Sequence, residues 1–160
     1  MGRIVNENQI GKIAEKLRLR GEKIVVTGGC FDIIHLGHVK LLKKSKQKGD
    51  ILIVLLEGDK SVKKLKGKNR PVNKQSERAE ILSSFSFVDF VVKLKKLASD
   101  KEYDKLVSCI GPHVIAATEG DSGIRHKKRQ AKLTGAKIVF VVKKINNKST
   151  TRLTKLGYLI

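Results

Sequence analysis

The run Ile51-Leu52-Ile53-Val54-Leu55-Leu56 is apolar without a break. It is only about a third as long as a membrane-spanning helix needs to be. It therefore reads as a strand buried on both faces, as strands are in a parallel sheet. The rest of the chain supplies what such a sheet requires. Residues 7–19 place Ile10, Ile13, Ala14 and Leu17 at spacings of three and four, which predicts an amphipathic helix, with Gly21 as a stop. A short β-branched strand over 23–27 breaks at Gly28-Gly29, and a helix over 36–48 with Val39, Leu41 and Leu42 inward closes at Gly49. Residues 57–74 read as a polar, basic loop ending at Pro71. A helix over 75–84, a third strand over 87–92 and a helix over 101–110 stopped by Gly111-Pro112 follow. Then come a fourth strand over 114–117, a basic helix over 125–133 stopped near Gly135, a fifth strand over 137–142 and a final helix over 150–159.

Strands separated by helices predict an α/β fold: a Rossmann-like doubly wound sheet of five parallel strands with flanking helices. With 160 residues and neither repeat nor linker, one domain over 1–160 is expected, with 1–22 as an N-terminal helical extension and 23–160 as the core. Ligands of such sheets bind at the carboxyl ends of the strands, where strand order reverses.

Charge narrows the function. Thirty-five Lys and Arg stand against 15 Asp and Glu, a formal net charge of +20, which points to a polyanionic or phosphorylated partner. Hydrophobic residues at 40% argue against wholesale disorder, and aromatics at 4% with no Trp leave little for a base-stacking platform. The N-terminus lacks the apolar core of a signal peptide and lacks Ser or Thr at position 6 for myristoylation. Cys30 and Cys109 have no CxxC spacing, which argues against a disulfide framework or a zinc site and fits a reducing cytoplasm.

The segment Gly28-Gly29-Cys30-Phe31-Asp32-Ile33-Ile34-His35-Leu36-Gly37-His38 carries the chemistry. Glycines after a strand let the backbone approach a ligand, and the helix that follows offers free N–H groups and a positive dipole end to a phosphate. His35 and His38, three apart across the helix start, can converge on one small anion, and Gly37 keeps the space between them open. Read as metal ligands, the pair lacks a third partner at usual spacing.

The string G-x-F-D-x-x-H-x-G-H resembles the signature of the HxGH nucleotidyltransferase superfamily, whose cytidylyltransferase-like members include heptose-phosphate nucleotidyltransferases and glycerol-3-phosphate cytidylyltransferase. Further stretches carry the resemblance: Lys48-Gly49-Asp50, the Lys66-Gly67-Lys68-Asn69-Arg70-Pro71-Val72-Asn73 loop, Glu77-Arg78 before Ile81-Leu82, Val88-Asp89-Phe90-Val91-Val92, and Ser149-Thr150-Thr151. The loop is closer to the heptose branch. The resemblance implies transfer of a nucleoside monophosphate from CTP or ATP to a sugar or polyol phosphate with release of pyrophosphate. Mg²⁺ would be held mostly by phosphates and water, and a homodimer is the usual assembly.

Carried over residue by residue, it implies that Gly29, Cys30 and Phe31 line the phosphate turn and that His35 and His38 stabilise the transition state. Lys66, hinged by Gly67 and with Lys64 as its rival, reaches the phosphates, and Arg78 helps bind phosphate. Asp59 faces the acceptor, and Gly120 and Asp121 lie near the nucleoside. Ser149, Thr150 and Thr151 bind the β- and γ-phosphates at the last helix. Related enzymes with overlapping motifs, archaeal-type FAD synthetase and pantetheine-phosphate adenylyltransferase, remain alternatives. Thr118-Glu119-Gly120-Asp121-Ser122 departs from the heptose pattern K-G-G-D-Y, which leaves base and acceptor open. The basic stretch 126–132 has no counterpart in the motif set; it reads as a solvated cationic face or, in the alternative of another class, as part of a nucleic-acid-binding surface.

Overall fold

The computed structural model describes residues 1–95 and 99–143. The helix expected over 150–159, with Ser149, Thr150 and Thr151, lies outside the described residues. In chain order the elements are β1 Arg3–Asn6, α1 Glu7–Leu19, β2 Ile24–Gly29, α2 Leu36–Lys46, β3 Ile51–Leu56, α3 Asp59–Lys66 and α4 Gln75–Ser83, then β4 Phe90–Lys93, α5 Asp100–Ile110, β5 Val114–Thr118, α6 Ile124–Thr134 and β6 Lys137–Val142. The strands form one sheet in the order β1-β4-β3-β2-β5-β6, and every neighbouring pair is parallel.

The chain steps from β2 outward through β3 to β4, then crosses back to β5 and β6 on the other side of β2. The switch in strand order therefore falls at β2, whose carboxyl end leads into the glycine-rich segment. Alternate residues of β3 pack on opposite faces. Ile53 and Leu55 join the cluster under α1, α5 and α6, while Leu52, Val54 and Leu56 join the cluster under α2 and α4. A strand sandwiched in this way has no polar face, which is why its sequence is apolar throughout.

Among the described residues the sheet has six strands, not five. The additional one, β1, is four residues long with only Val5 buried, so it shows no usable periodicity. It pairs with β4 through Ile4↔Val91. Residues 1–22 thus supply the sheet's edge and, in α1, a covering helix that buries Ile10, Ala14 and Leu17. Asn6 ends the strand and caps the helix: its side chain accepts from the Asn8 and Gln9 amides, and the Gln9 side chain accepts from the Asn6 amide.

The stretch 57–74 is likewise not all loop. α3 forms within it, buried only at Val62, begun after Gly58 and ended by Gly67, whose φ of 114° is a conformation that favours glycine. Its lysines masked the one-sided pattern. The strand expected over 87–92 pairs from Phe90 onward.

Because Ile10 is fully buried in the core under the sheet, Ile10→Ala should destabilise the protein by about 2–4 kcal/mol in urea unfolding. A loss below about 0.5 kcal/mol would mean that α1 is an appendage.

Candidate active site

The turn after β2 is the strained point of the backbone. Phe31 has a φ of 45°, unusual for a residue with a side chain and worth about 1–3 kcal/mol of strain. Its ring is buried over the turn, and a Cβ on Gly29 would stand 3.1 Å from that ring, so glycine leaves the ring its place. Asp32 holds the conformation. Its buried carboxylate accepts from the Arg70 guanidinium, from the Val72 amide at 2.8 Å and from the Asn73 amide at 3.0 Å. The Asn73 side chain donates in return to the Asp32 carbonyl at 2.9 Å. Two stretches 40 residues apart are thus bound into one unit.

His35 is the N-cap of α2, and its Nδ1 accepts from the Gly37 amide at 3.1 Å. That bond fixes the neutral tautomer with the proton on Nε2. The His38 ring stacks on it at 3.9 Å between centroids and meets Phe31 at 5.1 Å. Burial lowers the His35 pKa. His38 is pushed down to about 3, by burial first, then by His35 and Lys66, against a hydrogen bond with the Ile33 backbone. Its Nδ1 is buried without a hydrogen-bond partner. With both pKa values below the ordinary 6.5, both rings are neutral at pH 7. Cys30, its thiol raised by burial, is a poor nucleophile there.

Two cavities open on this turn, of about 940 and 370 Å³. Both are lined by Gly29, Cys30, Phe31, His38, Lys66 and Asp121. His35 and Lys64 line the larger and Gly120 the smaller. Gly37 lines neither; its amide is spent on capping through His35.

Arg78 does not reach the cavities, contrary to the expectation that it binds phosphate. It is fully buried, and its guanidinium donates to the carbonyls of Asn73, Cys30 and Glu57 at 2.9, 2.6 and 2.9 Å and to Asp59 Oδ1 at 2.6 Å. Asp59, expected at the acceptor, is Arg78's counter-charge and is absent from both cavity linings. The lone sequence position of a cation cannot distinguish these roles; burial does.

Sequence reading missed Asp32, Arg70, Glu57 and Tyr103. Asp32 lies within the motif, but its partners Arg70, Val72 and Asn73 are about 40 residues away and give no spacing signal. Glu57 and Tyr103 meet only through the fold, Tyr103 of α5 donating to Glu57 Oε1 at 3.1 Å. The basic helix α6 is partly internal to the site. Its His126, Lys127 and Arg129 line the larger cavity. There Lys127 pairs with Asp121, and Arg129 forms a bidentate pair with Asp104 at 2.7 and 3.0 Å. Arg125, Lys128 and Lys132 remain exposed.

A parallel sheet whose switch point carries a strained glycine turn, two stacked histidines and cavity-lining cations defines an α/β protein with its candidate site at the carboxyl end of β2. The Cytidylyltransferase-like family profile matches residues 26–155, and the chain belongs to that family. It is 43% identical over 147 residues to the bifunctional protein HldE of Aliarcobacter butzleri, covering 92% of this chain and 29% of that one. It is 40% identical over 147 residues to the HldE of a Nitratiruptor species, covering 92% and 30%. The chain thus spans less than a third of the length of these relatives. Among solved structures, the lipopolysaccharide core biosynthesis protein of Thermoplasma volcanium superposes with a TM-score of 0.60 at 25% identity, over 77% of this chain and 96% of that one. Pantoate-beta-alanine ligase of Francisella tularensis, complexed with beta-gamma ATP and beta-alanine, shares the fold with a TM-score of 0.64 at 20% identity, over 90% and 68%.

The His38 pKa has a stability consequence. An unfolded His titrates near 6.5, so between about pH 6.5 and pH 3 the unfolded state binds the extra proton and stability falls as pH falls. Urea unfolding of the wild type at pH 4.5 and pH 7.5, set against His38→Gln, should show the variant losing less on acidification, by about 2 kcal/mol. Equal losses in both proteins would contradict a neutral His38.

Proposed function

We propose that the chain is a nucleotidyltransferase that moves a nucleoside monophosphate from CTP or ATP to a sugar or polyol phosphate and releases pyrophosphate. The observation that carries this reading is that two adjoining cavities share one wall, made of the glycine turn, His38 and Lys66. A transfer between two phosphorylated ligands needs such a common boundary.

In this reaction an oxygen of the acceptor's phosphate attacks the α-phosphorus in line. The bond from that phosphorus to the bridging oxygen breaks, and its electrons leave with pyrophosphate. No enzyme nucleophile takes part, so the protein's work is orientation and charge neutralisation. His35 donates from Nε2 because Gly37 occupies Nδ1. His38, neutral and desolvated, gains most from the arrival of negative charge, which favours its protonation. Lys66, close enough to depress the titration of both His38 and Cys30, supplies a fixed positive charge. Lys64 lines the same cavity. Gly120 and Asp121 serve the nucleoside, and Ser149, Thr150 and Thr151 the β- and γ-phosphates. Mg²⁺ bound with the nucleotide would supply further neutralisation of the triphosphate charge, and phosphate oxygens and water would hold most of its coordination. Among the described residues no group of three or more His, Cys, Asp or Glu offers it a cage.

Pyrophosphate release, followed with ATP, CTP, GTP and UTP against a panel of phosphorylated acceptors, identifies the substrates. With the best pair, His38→Ala should lower turnover roughly 10²–10³-fold while the fold is retained by circular dichroism. Lys66→Ala, at an exposed position, should lower it more than about tenfold. Near-normal turnover in both variants would refute the reading.

A further inference from the structure

Glu57 is out of place in a cavity made for phosphates. It follows β3 and is anchored by its backbone: its amide donates to the Gly29 carbonyl at 3.1 Å, and its carbonyl accepts from Arg78 at 2.9 Å. Its side chain is half-buried and lines the larger cavity. The other carboxylates on that lining are matched by cations: Asp32 by Arg70, Asp100 by Arg129, and Asp121 by Lys127. Among the described residues, Glu57 is the carboxylate on the larger cavity's lining with no ion-pair partner. Neutral hydroxyls hold it instead, those of Tyr103 at 3.1 Å and of Ser61.

A desolvated carboxylate without a direct ion pair is costly, and burial raises its pKa against the smaller opposing effects of Tyr103, Ser61 and the Arg78 charge. Beside a phosphate it also adds repulsion. Ligand groups that donate hydrogen bonds to it offset both costs. A carboxylate has about four acceptor positions, and the two hydroxyls leave room for such donors.

The position says which ligand. β3 and β5 lie on opposite sides of β2. Gly120 and Asp121 follow β5, on the flank assigned above to the nucleoside. Glu57 follows β3 and shares its flank with Lys60 and Lys64, four residues apart on α3 and both lining the cavity. Cations for a phosphate beside an acceptor for hydroxyls form the complement of a sugar or polyol phosphate.

We infer that Glu57, oriented by Tyr103, determines acceptor specificity: its carboxylate accepts hydrogen bonds from hydroxyls of the phosphorylated acceptor. This rests on the reaction proposed above.

The test compares wild type, Glu57→Gln and Tyr103→Phe. Pyrophosphate release is measured with ATP and CTP against aldose 1-phosphates and glycerol 3-phosphate, and the Kd of each nucleotide is measured separately by titration without acceptor. Glu57→Gln should raise the acceptor KM about tenfold, with kcat within about threefold and nucleotide Kd within about twofold. Tyr103→Phe should move KM the same way by less, and it carries the test if Glu57→Gln does not fold. An unchanged acceptor KM would overturn the inference and leave the reaction standing. A change confined to the nucleotide Kd would place Glu57 at the nucleoside and overturn it too. If the wild type binds a nucleotide but releases no pyrophosphate with any acceptor, the reaction itself falls, and the inference with it.

Discussion

The buried guanidinium of Arg78 is the interaction on which the rest of the site depends. One side chain, fully removed from solvent, donates to the carbonyl after β2, the carbonyl after β3, the carbonyl at Asn73 and the carboxylate that opens α3. These are the segments that carry the glycine turn, Glu57, the 70–73 loop and the lysines. A buried arginine is tolerated only when its donors are satisfied and its charge is answered, and here three carbonyls and Asp59 do both. The Asp32 clamp acts on the same turn from the other side. It joins the turn to the 70–73 loop, whose last residue, Asn73, is also bound by Arg78. Phe31 can hold its strained φ because both sides are fixed.

Several motif charges prove to be architectural. Asp50 accepts from the Lys23 amide, Asp89 from the Leu52 amide and Lys46, and Glu77 caps α4 through the Lys74 amide. Among the described residues, the cavity-lining cations without a carboxylate partner are Lys60, Lys64 and Lys66 of α3. The net charge of +20 already counts every carboxylate, but its distribution matters: Lys127 and Arg129 of α6 stand against Asp121 and Asp104 rather than free. What remains on α6, Arg125, Lys128 and Lys132, is an exposed face of modest extent.

Legibility in the sequence followed length and regularity. α1 and β3 have the bounds expected of them, because thirteen residues of helical spacing and an unbroken apolar run each match one period only. The strand–turn–helix around His35 and His38 was visible because its chemistry is contiguous. β1 was not, since a four-residue edge strand buries one side chain and leaves no pattern. α3 was hidden by lysines on its open faces. Glu57 and Tyr103, 46 residues apart, have no spacing signal, and only the β3–α5 packing brings them together. Arg78 was legible as a residue but not as a role, because a cation looks the same in sequence whether it binds a ligand or three carbonyls.

Arg78 therefore builds the site from within rather than binding phosphate itself. Equilibrium unfolding of Arg78→Lys, paired with nucleotide titration, tests this most directly. A single ammonium cannot span four acceptors, so the expected result is a loss of about 3 kcal/mol or more together with weakened binding. Unchanged stability with a selective loss of nucleotide affinity would contradict it and return Arg78 to the ligand.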